Sequence, residues 1–570
     1  MSALLIAVLV FFAYLIAYRT YGTFLSQKVF GLDPDRVTPA HRYRDDKDFV
    51  PSNKWVLFGH HFTTIAGAGP IVGPAIAVIW GWVPALMWVV FGTIFMGAIH
   101  DFGSLVLSAR HEGKSVSAVT EELIGPRART LFLLLTAFAL LIVLAVFAVI
   151  IALLFTMFPG SVLPIFIEIP VAIAIGYWIY KKSGNHVVAG TIAVITLYVF
   201  VVIGTYVPLT MPGIIMGNPI YTWVVILLVY SFIASTLPVW MLLQPRDYIN
   251  SHQLFIVLIM MVLGVIVARP EIVAPAFHFN AVGAPPFFPF LFVVIACGAI
   301  SGFHSMAASG TTVKQMDNES DAKLIGYGAM LTEGFLATMV ILACTAGFSS
   351  LAAWTEHYAS WQAADGLGAK VGAFVNGGGS FISALGIPQQ IALTIMAVMV
   401  VSFAATTMDS ATRIQRYIIA ELAESYGIKP LATPTGAALF AVITAFALAS
   451  INGGRGGMIL WPLFGASNQL MAGLALLVMT VWLIRIKKPS IYSAIPMVFM
   501  IFITTWAMIA GLVNYYNQGN WLLTILSFFI ILLEVWVVIE AITILKNPNK
   551  LPYQPHEAIH RDSWAGYTRE

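Results

Sequence analysis

Charge is what this sequence lacks. Only 10% of its 570 residues are Asp, Glu, Lys or Arg, against about 25% in soluble globular proteins. With 59% hydrophobic residues and a mean hydropathy of +0.88, the chain is a polytopic membrane protein. Cysteine is scarce as well. Cys297 and Cys344 both fall in apolar stretches, which excludes a disulfide framework and makes them small residues of a membrane core. The net charge of +3 is spread over short loops, so it points to no nucleic-acid partner. No polar segment is long enough for an independent core. A cleaved leader is not expected: Met1-Ser2-Ala3 has no basic region and the first apolar run ends in Tyr18-Arg19.

Catalytic motifs fail on inspection. Gly113-Lys114-Ser115 resembles the end of a phosphate-binding loop, but Ser108 stands where its first glycine belongs. Gly67, Gly69 and Gly73 miss the dinucleotide spacing by one residue. His556-Glu557-Ala558-Ile559-His560 fits the zinc-protease pattern. It lies in a polar tail behind Pro555, with no third ligand and no domain around it. No metal or other cofactor is expected.

What is present is a series of apolar runs. A membrane helix needs roughly 20 such residues. Fifteen spans follow, at about 3–18, 62–80, 84–107, 130–156, 162–180, 187–207, 221–243, 253–268, 286–304, 324–347, 388–408, 433–451, 458–484, 491–513 and 521–545. With the N-terminus outside, 26 of the 29 Lys and Arg residues fall on the inner side, all except Arg269, Lys370 and Arg455, as the positive-inside rule requires. The tail from 546 is then cytoplasmic. The outer segment 348–387, with Trp354, Trp361 and Gly377-Gly378-Gly379, is a candidate lid or re-entrant element.

One stretch organises the rest. Gly59-His60-His61-Phe62-Thr63-Thr64-Ile65-Ala66-Gly67-Ala68-Gly69-Pro70-Ile71-Val72-Gly73-Pro74 crowds glycine and proline into the second span, and a helix cannot pass through it intact. Inside a membrane, broken backbone survives only when buried in protein or lining a cavity. Five spans later, Ser231-Phe232-Ile233-Ala234-Ser235-Thr236-Leu237-Pro238 sets a second proline among hydroxyls. Taken alone it reads as a packing kink. Paired with the first, in opposite orientation, it reads as the inverted-repeat pattern of secondary transporters. Repeat one is then about 62–207 and repeat two about 221–408, with accessory spans at 1–18 and 433–545. Gly67, Ala68, Gly69 and Pro70 would frame a substrate together with Ser231, Ser235 and Thr236.

Asp48-Phe49-Val50-Pro51-Ser52-Asn53-Lys54-Trp55-Val56-Leu57-Phe58-Gly59-His60-His61-Phe62 and Ile65-Ala66-Gly67-Ala68-Gly69-Pro70 resemble the carbon starvation CstA family. So do Leu237-Pro238-Val239-Trp240, Leu243-Gln244-Pro245-Arg246-Asp247-Tyr248, Ala308-Ser309-Gly310-Thr311-Thr312 and Asp409-Ser410-Ala411-Thr412-Arg413. The resemblance implies bacterial inner-membrane transporters of peptides, or of pyruvate with protons, induced by carbon starvation. It also implies an all-α fold with a LeuT-like inverted-repeat core. Longer members of that family carry further C-terminal spans.

Ionisable groups inside spans cost about 2.5–3.5 kcal/mol on insertion scales and are functional candidates by default. Glu333 lies mid-span and His100-Asp101 near the inner end of the third span. Each suits either a proton relay or a buried hydrogen bond. Glu168, Glu534 and Glu540 read as structural. His60 and His61 stand at the mouth of the second span, either as a titrating gate or as an interfacial pair. His304 lies with Ser301, Ser305 and Ser309, whose hydroxyls would complete a sodium site with carbonyls of the second span. Arg246-Asp247 reads as a gate pair or as a solvated interfacial ion pair. Together these point to an ion-coupled symporter, driven by H+ or Na+, for a small carboxylate-bearing nutrient. Its partners are that solute and the bilayer, and a homo-oligomer is compatible with the sequence. A membrane-embedded enzyme, a channel or a nutrient sensor is the alternative.

Overall fold

The computed structural model describes residues 2–182, 184–215, 217–364, 366–451, 456–547 and 550–564; Arg455 lies outside them. Among the described residues the regular elements are helices, apart from three isolated bridges. After α1 (Ala3–Arg19), α2 (Lys54–Ile65) and α3 (Gly69–Ala77) form one span bent by 47° at its break. α4 (Trp82–Gly92) runs through a π turn into α5 (Ala98–Ala109), and α6 (Val116–Leu123) lies between it and α7 (Pro126–Met157). There follow α8 (Val162–Lys182), α9 (His186–Tyr206), α10 (Pro219–Thr236) and α11 (Leu243–Ala268). α12 (Phe287–Val294) and α13 (Gly302–Gly310) are the halves of a second broken span. The chain continues through α14 (Ala329–Ala346), α15 (Leu367–Ser383), α16 (Gln389–Ser425), α17 (Pro434–Ala449), α18 (Gly456–Arg485), α19 (Ile491–Asn517) and α20 (Trp521–Lys546).

Among the described residues, twelve helices are long and apolar enough to cross a membrane, and the bent α2–α3 pair makes thirteen. The two other expected crossings correspond to α12–α13 and to the 16-residue α17. Helix starts follow local chemistry. Asn53, Asn185, Asn218 and Asn520 accept hydrogen bonds from first-turn amides of α2, α9, α10 and α20, and Thr433 does so for α17. α7, α14, α16 and α18 make up the buried centre, whereas α1, α9, α19 and α20 expose apolar side chains such as Phe11, Ile195, Phe502 and Phe529. In water such a surface would drive association; against lipid tails it is at rest. The 348–387 segment folds as Leu351–His357, Trp361–Ala364 and α15.

The expected second interruption is corrected. α10 runs unbroken to Thr236, and Leu237 takes extended backbone before Pro238, as the residue preceding a proline prefers. The proline therefore ends the helix instead of breaking it. Arg246 and Asp247, expected in an inner loop, sit in the first turn of α11 and are buried. The second break lies at 295–301, in a run of small residues (Ala296-Cys297-Gly298-Ala299) without proline.

Candidate substrate and coupling site

The two breaks face each other. α2 ends at Ile65, Ala66 leaves the helical region, and Pro70 opens α3. Pro70 donates no N–H to the preceding turn, so the ladder does not close across the break at 66–68, whereas Pro74 is carried inside α3. A Cβ on Gly69 would fall 2.3 Å from Cys297 Sγ, one on Gly73 2.4 Å from the Val294 carbonyl oxygen, and one on Gly67 2.5 Å from Thr407 Oγ1. The glycines thus serve close approach of the second break and of α16.

Side chains of neighbouring helices satisfy the carbonyls that the breaks release. Thr407 Oγ1 donates to the Thr64 carbonyl at 2.9 Å, Trp88 Nε1 to Ile295 at 3.1 Å and Thr93 Oγ1 to Gly298 at 3.0 Å. At the start of α13, the Phe303 amide donates to Asn468 Oδ1 at 2.9 Å, and Asn468 Nδ2 donates to Ser301 Oγ at 2.9 Å. α3 and α13 both begin at the breaks, so the positive ends of two helix dipoles point inward there.

Beside the breaks lies a buried acid–imidazole set. His100 Nδ1 contacts Asp101 Oδ1 at 2.8 Å, and His304 Nδ1 contacts Asp101 Oδ2 at 2.8 Å. His304 Nε2 lies 3.3 Å from Glu333 Oε2. All four side chains are fully buried. Three helices (α5, α13 and α14) thus bring together residues that the sequence presented separately.

A second network closes the end of the bundle that carries the basic loops. His60 Nδ1 meets Asp247 Oδ2, and Gln315 Nε2 lies 3.2 Å from His60 Nε2. His61 Nδ1 meets Thr312 Oγ1 at 2.9 Å. Arg246 pairs with Asp409 Oδ2, donates to Tyr230 Oη at 2.6 Å and lies 3.5 Å from Glu168 Oε1. This sets aside the interfacial reading of the two histidines, leaves their gate reading as an expectation, and corrects the pairing of Arg246 with Asp247. His60 and His61 are fully buried rather than interfacial. Arg246 and Asp247 do not pair with each other, because consecutive helical residues point in different directions; each joins a different helix.

Other expected site residues are not brought to the break. Ser231 bonds Thr412, Ser235 donates to the Phe232 carbonyl at 2.9 Å and Thr236 to the Ile233 carbonyl at 2.8 Å. Ser305 donates to Gly302 at 2.7 Å and Ser309 to Ser305 at 2.7 Å. Ser235, Thr236, Ser305 and Ser309 donate within their own helices, Ser231 reaches α16, and the hydroxyl that meets a carbonyl of the first break is that of Thr407. The sequence reading does not single out Thr407, Asp409 or Asn468. Asp409 lies just beyond the expected span 388–408, and the polar pair Asn468-Gln469 inside an apolar run is the signal for the third.

Two cavities approach from opposite ends. One of about 720 Å³ reaches Gly69 and Cys297, with Trp361, Trp461 and Asn514 in its wall. Lys370 is the one charged side chain among the described residues lining it. It is buried, with Nζ 5.6 Å from the Trp461 ring centroid. The other, about 550 Å³, opens between the basic loops and reaches Met306, Ser309 and Gly310 of α13.

Broken helices, buried ionisable groups and cavities at both ends are features of a polytopic membrane transporter. The family model described as Carbon starvation protein CstA matches residues 2–364 and 348–507, and the chain belongs to that family. Among curated relatives, the peptide transporter CstA of Bacillus subtilis is 36% identical, over 84% of this chain and 84% of its own. The pyruvate/proton symporter BtsT of Escherichia coli is 33% identical, over 89% and 81%. The peptide transporter CstA of Escherichia coli is also 33% identical, over 90% and 80%. Among solved structures, a manganese transporter from Eremococcus coleocola superposes with a TM-score of 0.51 at 13% identity, over 88% of this chain and 99% of its own. At that identity the likeness concerns the fold alone.

Proposed function

We propose that this chain is a proton-coupled symporter that imports a small carboxylate-bearing nutrient, a short peptide or pyruvate, across a bacterial inner membrane. The N-terminus lies outside and the C-terminus in the cytoplasm, with the basic loops inside. The family name carries the further reading that the nutrient is scavenged under carbon starvation. The observation that supports transport best is the pair of cavities on opposite sides of two facing helix breaks, the arrangement that alternating access requires. The inverted repeat is then α2–α3, α4–α5, α7, α10 and α11, followed by α12–α13, α14, α16, α17 and α18. The α8–α9 hairpin is inserted in the first half, which moves the repeat boundary from the one expected above.

The outer cavity suits an anion. Lys370 supplies a cation in its wall, and the amide end of α3 adds partial positive charge at its floor. Asp101, His304 and Glu333 stand one helix away, with three bases among which a delivered proton can be shared. Proton binding there and substrate binding at the break both bias the position of α13, which couples them.

The test is uptake of labelled pyruvate and dialanine into proteoliposomes under imposed proton or sodium gradients. Accumulation with protons alone is expected. Accumulation with sodium alone would reassign the coupling ion, and none under either gradient would overturn transport. Lys370→Gln should raise the half-saturating concentration by about tenfold or more, since a hydrogen bond to a charged group contributes roughly 1.5–3 kcal/mol; Lys370→Arg should stay near wild type. Unchanged saturation by Lys370→Gln would remove that residue from the site.

A further inference from the structure

The zinc-protease pattern in the tail does not form one. Residues 552–559 are not helical, so His556 and His560 do not share a helix face, and His560 Nδ1 instead lies 3.5 Å from Asp33 Oδ2. His556, however, is carried by the tail to the end of the third span. There its Nε2 lies 2.9 Å from Glu122 Oε2 on α6. His111 Nε2 lies 4.0 Å from the same oxygen, and the three ligand atoms are all within 4.8 Å of one another. Among the described residues this is the one set of three His, Cys, Asp or Glu side chains so placed.

We propose that His111, Glu122 and His556 form a zinc-class divalent metal site that clamps the C-terminal tail to the cytoplasmic end of the bundle. Two imidazoles and a carboxylate are a donor set that zinc accepts, with a fourth position left to water. His111 is prepared for the role. Its Nδ1 bonds the Leu107 carbonyl at 2.7 Å, so that N–H is committed and Nε2 presents its lone pair, the arrangement that orients metal-bound histidines. Glu122 Oε1 accepts from Lys114 Nζ at 2.7 Å, leaving Oε2 for the metal. Tyr553, whose Oη meets His111 Nε2 at 2.8 Å, is displaced when the metal enters, or becomes its fourth neighbour.

The surrounding charges set the affinity. Lys114 from the loop after α5, Arg36 from the N-terminal inner segment and Arg485 at the end of α18 oppose a dication. Glu122 itself, with Glu112, opposes them. Three protein ligands in that setting give a site that fills and empties rather than a permanent structural one. Its position ties it to transport. Glu122, Glu121 and Lys114 also line the inner cavity, so a metal that fixes Glu122 to the tail fixes one wall of that cavity.

The experiment uses the full-length protein in detergent, dialysed to equilibrium against free zinc and assayed for bound metal by mass spectrometry. About one zinc per chain is expected. His556→Gln and Glu122→Gln should each weaken zinc binding at least tenfold, His560→Gln should leave it unchanged, and zinc should slow tryptic cleavage of the tail in wild type but not in His556→Gln. Absence of zinc from the wild type would overturn the site, as would full retention by His556→Gln. Equal loss in His560→Gln would overturn it in favour of the linear motif. His556 lies on the surface tail, so its variant is not expected to compromise folding.

Discussion

Replacing Gly69 by alanine tests whether the two breaks depend on contact with each other. The new Cβ would fall 2.3 Å from Cys297 Sγ and 2.6 Å from Cys297 Cβ, whereas ordinary contact begins at 3.4 Å. Rotating the thiol away does not relieve the second clash, so α3 and the 295–301 segment must separate by about 1 Å. Overpacking of that kind costs roughly 1–3 kcal/mol; Gly69 is the first residue of α3, so alanine's better interior helix propensity offsets little of it. The expected net loss is about 1–3 kcal/mol, a factor of about 5 or more in the folded population, read as a lowered midpoint of thermal unfolding in detergent and as reduced uptake. Cys297→Gly removes both offending atoms. In that background the cost of Gly69→Ala should shrink by about 1–3 kcal/mol, a coupling of the size seen between touching residues. A Gly69→Ala protein as stable and active as wild type would refute the reasoning. So would a defect of equal size in both backgrounds, because it would then reflect glycine's backbone and not its neighbour. The bulkier Gly69→Leu should insert in the membrane and fail to transport.

Two further perturbations address the basic end. Arg246→Gln strands Asp409 and Glu168 in the interior and should destabilise by about 3–5 kcal/mol, visible as aggregation in detergent; adding Asp409→Asn should recover part of the loss, and no recovery would mean that the pairing is not the cause. Asp48 lies outside the spans: burial raises its carboxyl, but Arg413, with Tyr417, Lys314 and Arg416, holds it below the ordinary carboxylate range. A depressed folded-state value stabilises above the unfolded value, near 4, and that stability is lost as pH falls through the lower, folded value. Asp48→Asn should therefore flatten the acid side of a stability-against-pH curve, and an unchanged acid side would refute this.

Much of this protein is legible along the chain. The shortage of charge decides for a membrane, and the glycine–proline cluster at Gly67–Pro74 marks a break that falls at its start, where Pro70 cannot donate to the turn before it, while Pro74 is carried inside α3. The family resemblance is likewise a property of linear motifs. The other half of the site is not legible. The 295–301 break carries no proline, and it exists because Trp88, Thr93 and Asn468 arrive from other helices to satisfy what it leaves open. Pro238, the stronger local signal, only ends a helix. Asp101, Glu333 and His304 are visible singly as costly residues, yet their meeting depends on the packing of α5, α13 and α14. His556 likewise found its partners on α6 and beyond α5, not at the fourth residue along. Local backbone chemistry is written in neighbouring residues and can be read there. Which distant side chains complete a break, share a proton or converge on a cation is decided only when the helices pack.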